Sequence, residues 1–176
     1  SGIGEASAIK LASEGFAVVL SGRTKETLDM VASKCDGQVS VKPLDVSNYE
    51  DVKVVFEDII SDYGRVDVLV ASAGLNAKNR NWHNVSEKDF DQIIKIDLNG
   101  VFYTNRSVLE KMKEQREGLI INVSSWAGKY VTTLTGPAYT AAKHGVNALT
   151  EGINMEAGHF GVRACALCPG EVATPI

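Results

Sequence analysis

The chain alternates short apolar runs with amphipathic helical stretches from one end to the other. The apolar runs cover residues 16–20, 39–44, 66–71, 119–123 and 162–167. Uninterrupted apolar runs of this length are typical of strands that are buried on both faces of a parallel sheet. Parallel strands need long crossover connections, and the intervening helices provide them. The pattern therefore predicts one α/β domain with a doubly wound parallel sheet and right-handed crossovers.

The helical stretches carry start and stop signals at their ends. Residues 47–50 and 86–89 both show the spacing of an N-terminal capping box, and the second opens a long helix that ends near residue 115. Gly15 and Gly64 follow the last apolar positions of two other stretches, where glycine ends helices. The predicted helices cover residues 4–14, 24–33, 47–64, 86–115 and 139–160.

The composition excludes several classes of partner. The chain has 176 residues, 44% of them hydrophobic, and a net charge of −4. This size and composition fit one globular domain with a substantial core. A mildly acidic chain without a basic block is a poor binder of nucleic acid or of anionic membranes. No apolar run approaches the roughly 18 residues needed to cross a bilayer. We expect neither a nucleic-acid nor a membrane partner.

Three cysteines are too few for a disulfide framework. Cys165 and Cys168 have the spacing of a redox or zinc motif, but strand alternation directs positions i and i+3 to opposite faces. No second cysteine pair or nearby histidine completes a tetrahedral site. We expect buried strand cysteines in a reducing, cytoplasmic compartment, and no metal site.

The first residues suit phosphate binding, because Gly2, Ile3 and Gly4 lead directly into a helix whose N–H groups would face an anion. An ordinary turn before a helix explains the same residues, since no strand precedes them. After the first apolar run, Gly22 occupies the place where an acidic side chain would bind the adenosine ribose, and Arg23 follows. This favours NADP over NAD. The alternative reading of Arg23 is a surface residue of the next turn.

Tyr139 and Lys143 are four residues apart on a predicted helix and so share one face. A nearby cation lowers the pKa of a phenol from about 10, which suits an acid/base tyrosine. Tyr49 and Lys53 have the same spacing, but they lie beside a capping box, where we expect only an exposed contact.

Ser124 and Ser125 follow a buried strand, at the sheet edge where open α/β folds bind ligands. A serine there can hold a substrate oxygen while Tyr139 moves a proton. A nucleophilic serine is the rival interpretation. It is disfavoured because no glycine precedes the two serines as the nucleophile elbow requires, and no histidine stands in a triad arrangement.

Taken in order, the motifs resemble those of the short-chain dehydrogenase/reductase family. They are the glycine-rich start, Asp45-Val46, Ala71-Ser72-Ala73-Gly74, Ser-Ser-x-x-Gly at 124–128, Tyr-x-x-x-Lys at 139–143 and the segment 169–175. The resemblance covers the whole chain. It implies a three-layer Rossmann-like fold, NADP as cofactor with NAD possible, a small carbonyl or alcohol substrate, and a homotetramer or homodimer.

The resemblance also implies roles for individual residues. Tyr139 would be the acid/base, Lys143 would assist it and bind the nicotinamide ribose, and Ser125, selected over Ser124 by its distance from Gly128, would orient the substrate oxygen. The implied cofactor-binding residues, besides Tyr139 and Lys143, are Gly2, Ile3, Gly4, Arg23, Asp45, Val46, Ser72, Ala73, Gly74, Pro169, Gly170, Val172 and Thr174.

Two positions depart from the family pattern. Asp97 stands where the family usually has an asparagine of the catalytic set, and Ala71 replaces an asparagine with a structural hydrogen bond. An ionised carboxylate accepts hydrogen bonds but cannot donate them, and Asp97 would add a negative charge near Lys143. Asp97 is therefore a fourth catalytic candidate whose equivalence to asparagine is open.

These observations predict an NADP-preferring oxidoreductase acting on a carbonyl/alcohol pair. A reductase of carrier-bound 3-oxoacyl groups shares all the motifs, and a non-catalytic dinucleotide-binding regulator is the alternative from another class. We also expect a further strand before Ser1, beside the 16–20 strand, and a substrate lid after Ile176. Without that strand, residues 1–176 alone are not expected to fold stably.

Overall fold

The computed structural model describes residues 2–173 and has the expected α/β architecture. The strands are β1 (Val18–Gly22), β2 (Val39–Pro43), β3 (Val68–Ala71), β4 (Gly118–Val123) and β5 (Val162–Leu167). The helices are α1 (Gly2–Ser13), α2 (Lys25–Ala32), α3 (Tyr49–Tyr63), α4 (Glu87–Ile93), α5 (Gly100–Gln115) and α6 (Pro137–Ala157). Short 3-10 turns cover Trp126–Gly128 and Gly158–Phe160.

All strand pairs are parallel, as the apolar runs predict. β1 pairs with β2, and β4 lies between β3 and β5. Within residues 2–173 the two groups of strands are not hydrogen-bonded to each other, and a cavity separates β1 from β3. The expected position of a further strand beside β1 stays a prediction.

Two apolar clusters cover the strands and produce the layers of a doubly wound fold. In the first, Ala8 and Ala12 of α1 and Val31 of α2 pack against Val18 and Leu20 of β1. The second joins α3, α5 and α6 to the β4–β5 pair through Val52, Phe56, Val108, Met112, Ile120, Ile153 and Val162. The strand ends that lead to the site are therefore fixed by buried side chains.

The predicted long helix is continuous but not regular. Residues 94–99 between α4 and α5 form a π-helix, whose wider turn accommodates an extra residue. The turn places Asp97 among the buried residues, where its side chain has no solvent exposure. π-turns inside helices are frequent at functional sites.

The N-terminal cap of α4 is the predicted one, whereas that of α3 differs from the prediction by one residue. Ser86 caps α4 by accepting a hydrogen bond from the Asp89 N–H, as predicted. α3 begins later than its capping-box pattern suggests, because Asn48 accepts the N–H of Glu50. The Ser47 N–H is taken instead by the carboxylate of Asp45, 2.9 Å away. β1 likewise begins at residue 18, where its pairing with β2 starts.

The prediction of buried strand cysteines is wrong for Cys165, which is exposed. Alternate residues of β5 point to opposite faces, and α5 and α6 cover the face that holds Val162. Within residues 2–173 no helix packs on the other face, which holds Arg163, Cys165 and Leu167. Coverage of both faces is therefore not complete in the described part. None of the helices described here is long and apolar enough to cross a bilayer.

Candidate active site

One cavity of about 1020 Å³ runs from the gap between β1 and β3 to the carboxyl ends of the strands. At the carboxyl ends of the strands it is lined by the loops that follow them, which is where open α/β sheets bind ligands. Fifteen of the predicted site residues line it: Ile3, Gly4, Arg23, Asp45, Val46, Ser72, Ala73, Gly74, Asp97, Ser125, Tyr139, Lys143, Pro169, Gly170 and Val172. The fold thus brings distant motifs to one surface.

Helix α6 carries both members of the predicted acid/base pair. Its first turn begins at Pro137, which suits the first position of a helix because its missing N–H would have had no partner there. Tyr139 and Lys143 lie on one face, and the Lys143 ammonium is 5.3 Å from the centroid of the Tyr139 ring. Lys143 is 3% exposed and donates a hydrogen bond to the carbonyl of Val123, 3.0 Å away.

Ser125 is fixed at the end of β4 by the 3-10 turn that follows. Its hydroxyl accepts the N–H of Ala127 at 3.2 Å, and its side chain is buried. The turn packs directly on α6: a Cβ placed on Gly128 would lie 2.7 Å from the carbonyl oxygen of Lys143. Asn147 adds a hydrogen bond from its side chain to the carbonyl of Gly128 at 2.9 Å. The distance between Ser125 and Tyr139 therefore depends on this close packing.

Asp97 approaches Lys143 from the π-helix. One carboxylate oxygen accepts the main-chain N–H of Leu75 at 2.9 Å, and the other lies 3.3 Å from Lys143 Nζ. Both side chains are buried, so the ion pair is shielded from water. The pKa of Asp97 is raised above its usual value, because burial outweighs the lowering by Lys143 and by the Leu75 N–H.

The pKa of Tyr139 differs in direction from the expectation. Burial raises it, a hydrogen bond with Ser125 opposes the rise, and the charge of Asp97 adds to it. The pKa of Tyr139 is therefore raised and not lowered, chiefly because partial burial disfavours the charged phenolate. The Asp97 carboxylate, which lies 3.3 Å from the Lys143 ammonium, adds to the rise.

The other end of the cavity has the features of a nucleotide site. A Cβ on Gly4 would lie 2.5 Å from the hydroxyl of Ser72, so a larger residue there would require that hydroxyl to rotate away, whereas glycine lets α1 approach the loop after β3 directly. Gly2 has a φ of 56°, a conformation that glycine adopts readily. Arg23 is exposed, and its charge helps the Ser47 N–H to hold the pKa of Asp45 below its usual value. A glycine-rich helix start of this kind is a place where phosphate groups bind in proteins.

The family model described as "short chain dehydrogenase" matches residues 1–176. The chain belongs to this family. It is similar to an uncharacterized oxidoreductase of Staphylococcus aureus, with 36% identity over all of this chain and 76% of the relative. It is 35% identical to the 3-oxoacyl-[acyl-carrier-protein] reductase of Thermotoga maritima, over all of this chain and 72% of that protein.

The fold of this short-chain dehydrogenase is also that of solved structures. An alcohol dehydrogenase from the archaeon Thermococcus sibiricus, complexed with 5-hydroxy-NADP, superimposes with a TM-score of 0.90. Its sequence is 31% identical, and the match covers 98% of this chain and 73% of that one. The chain is therefore an oxidoreductase of a family that uses NAD(P), with a Rossmann-like fold.

The structure places the remaining predicted residues away from the cavity or outside the description. Gly2 does not line the cavity, although it precedes two residues that do. Thr174 lies outside the described residues. His144 bonds to the carbonyl of Thr140 within α6, a structural contact. No cluster of metal-ligating side chains is found in residues 2–173.

Sequence reasoning missed two kinds of site group in this short-chain dehydrogenase. The first is main-chain: the Leu75 N–H and the Val123 carbonyl bind Asp97 and Lys143, and main-chain atoms leave no residue-type signal. The second is in the loops that follow β3 and precede α6, where Asn76 donates to the Thr135 carbonyl at 3.0 Å. Arg80 and Leu134 line the cavity nearby. These loop positions match no motif.

Proposed function

We propose that the protein is an NADP-preferring oxidoreductase that interconverts a ketone or aldehyde and the corresponding alcohol. The observation that supports this most is the convergence of Ser125, Tyr139 and Lys143 in one cavity. A phenol, a hydroxyl and a buried ammonium in that arrangement serve proton transfer to a carbonyl oxygen. A hydrolase is not supported, because no histidine of residues 2–173 lines the cavity that holds Ser124 and Ser125.

The residues act on the oxygen of the substrate. In reduction the Tyr139 hydroxyl gives its proton to the carbonyl oxygen as the C–O bond becomes single, and solvent later returns a proton to the tyrosinate. Ser125 donates a hydrogen bond to the same oxygen and fixes its position. Lys143, held by the Val123 carbonyl, supplies positive charge beside the phenol and binds the nicotinamide ribose. The nicotinamide, when bound, supplies the hydride in reduction and accepts it in oxidation.

The preference for NADP rests on the end of β1. Gly22 offers no carboxylate for a ribose hydroxyl, and the exposed Arg23 beside it suits the additional phosphate of NADP. The relevant measurement is kcat/KM with NADPH and with NADH, for the wild type and for Arg23→Ala. We expect NADPH to be preferred and Arg23→Ala to reduce the ratio about tenfold or more. Arg163→Ala on β5 is the matched control; a wild type that prefers NADH contradicts the proposal.

Carrier-bound 3-oxoacyl groups are the second candidate substrates, which the similarity to the Thermotoga maritima reductase favours. Turnover measured with a panel of ketones, alcohols and acyl thioesters distinguishes the two substrate classes. A purely regulatory dinucleotide-binding protein would bind NADPH and turn over none of them.

The deciding variant is Tyr139→Phe, which removes the proton donor and leaves the ring. We expect turnover to fall by about 10²- to 10⁴-fold, while NADPH binding, followed by its fluorescence, changes little. Tyr49→Phe is the control, because Tyr49 has the same spacing to a lysine but packs against Tyr103 outside the cavity. Full activity of Tyr139→Phe would refute the assignment.

We also propose a cellular location and an oligomeric state for the enzyme. The three cysteines are unpaired, in keeping with a reducing cytoplasmic location. Exposed Phe102 on α5 and Met155 on α6 offer apolar surface for a homotetramer or homodimer. Residues 1–176 would serve as one NAD(P)-binding domain. Sedimentation of the full-length protein measures the oligomeric state.

A further inference from the structure

Asp97 is the most deeply buried charged group in the part of the chain that the structure describes. Its side chain has no exposure, and that of its partner Lys143 has 4%. The main chain closes over the pair, since a Cβ on Gly74 would lie 3.0 Å from Asp97 Oδ2 and 3.4 Å from Lys143 Nζ. A charge in such a place is retained only where it is compensated.

The two carboxylate oxygens have different surroundings. Oδ1 is bound by the Leu75 N–H at 2.9 Å, which fixes the plane of the carboxylate. Oδ2 has Lys143 Nζ at 3.3 Å but makes no hydrogen bond of good geometry. Lys143 directs a well-formed hydrogen bond to the Val123 carbonyl instead. The pair is therefore held by charge, and the remaining Lys143 protons are not committed to Asp97.

We propose that Asp97 is a positioning residue that compensates the charge of Lys143, so that Tyr139 releases its proton at a higher pH than it would beside a neutral amide. The inference rests on the proposed function, in which Tyr139 is the acid/base. It adds that having a carboxylate at position 97, where the family usually has an amide, sets the pH range of the reaction. The site is tuned toward a protonated tyrosine, which is the form that reduces a carbonyl.

The groups that face Asp97 are few. α6 contributes Lys143 and Tyr139, the loop after β3 contributes only main chain at Gly74 and Leu75, and Lys95 on the π-helix itself is exposed. The 3.3 Å and 5.3 Å separations along this series put the carboxylate within about 9 Å of the tyrosine ring. One charge at that distance in an effective dielectric constant of about 20 changes a proton equilibrium by about twentyfold, slightly more than one pH unit.

The test is Asp97→Asn, which keeps the size of the side chain and its acceptor for the Leu75 N–H. Tyrosine labelled with ¹³C at Cζ gives one NMR resonance for each of the five tyrosines, and Tyr139→Phe assigns the relevant one. We expect its titration midpoint to fall by about one pH unit in Asp97→Asn. Asp91→Asn, the same change at an exposed position of α4, should leave it unchanged. An unmoved or raised midpoint in Asp97→Asn overturns the proposal.

A second measurement needs no variant. The ¹³Cγ shift of Asp97 in the wild-type protein reports its ionisation, and the proposal requires a carboxylate at pH 7; a protonated Asp97 there overturns it. In the active enzyme, the pH profile of kcat/KM for alcohol oxidation should move to lower pH in Asp97→Asn by the same amount. A shifted tyrosine midpoint without turnover of any substrate would refute the proposed function and leave this inference standing.

Discussion

The close packing of Gly128 on α6 makes a sharp prediction for Gly128→Ala. The new Cβ would lie 2.7 Å from the carbonyl oxygen of Lys143, 2.7 Å from Ser124 Oγ and 2.9 Å from Asn147 Nδ2. Ordinary contacts begin at 3.4 Å, so the turn and the helix must separate by several tenths of an ångström. One of the obstructing atoms is main chain of α6, which cannot rotate away as a side chain would.

The cost has two parts. Overpacking of a rigid contact costs about 1–3 kcal/mol. Displacement of the turn also weakens the hydrogen bond from Asn147 to the Gly128 carbonyl, worth about 1 kcal/mol. We expect a loss of about 2–3 kcal/mol in the free energy of unfolding. Because the same turn positions Ser125, a shift approaching 1 Å should reduce kcat by about 10- to 100-fold.

Gly152→Ala on α6 is the matched control, since a Cβ there meets nothing within 4 Å. Alanine in a helix interior is favoured over glycine, so this variant should gain about 0.5–1 kcal/mol. Urea unfolding and steady-state kinetics of the full-length protein measure both effects. Equal stability of the two alanine variants, or a Gly128→Ala enzyme with unchanged kcat, would refute the reasoning from contact distances.

Two further outcomes are expected. Asn48→Ala should cost about 1 kcal/mol, because its side chain accepts the Glu50 N–H at the start of α3; a larger loss for Ser47→Ala would reverse the cap assignment in urea unfolding. The pKa of Asp45 is lowered in the folded protein, chiefly by the Ser47 N–H, so its ionised form stabilises the fold above the unfolded pKa of about 3.9. That contribution is lost as the pH falls through the lower folded value. The stability difference between wild type and Asp45→Asn should therefore shrink between pH 6 and pH 3, and a constant difference contradicts it.

The fold could be predicted because its signals are local and repeated. Each apolar run is long enough to be buried, and each is followed by a helical period with its own start or stop signal, as at Ser86 and Gly64. The predictions that were wrong depend on neighbouring elements of the fold and not on the local sequence. β1 starts at Val18 because pairing with β2 begins there, and Cys165 is exposed because a helix on one side of β5 says nothing about the other side.

The positions of the site residues followed from the fold, but their electrostatics did not. The spacing of Tyr139 and Lys143 indicates that a cation lies beside the phenol, and this is what the structure has. The spacing does not indicate that the cation is already paired, because Asp97 reaches it from another helix through a π-turn that has no sequence signature. The pKa of Tyr139 is raised first by burial and then by the charge of Asp97, whereas the spacing of Tyr139 and Lys143 alone predicts a lowered pKa.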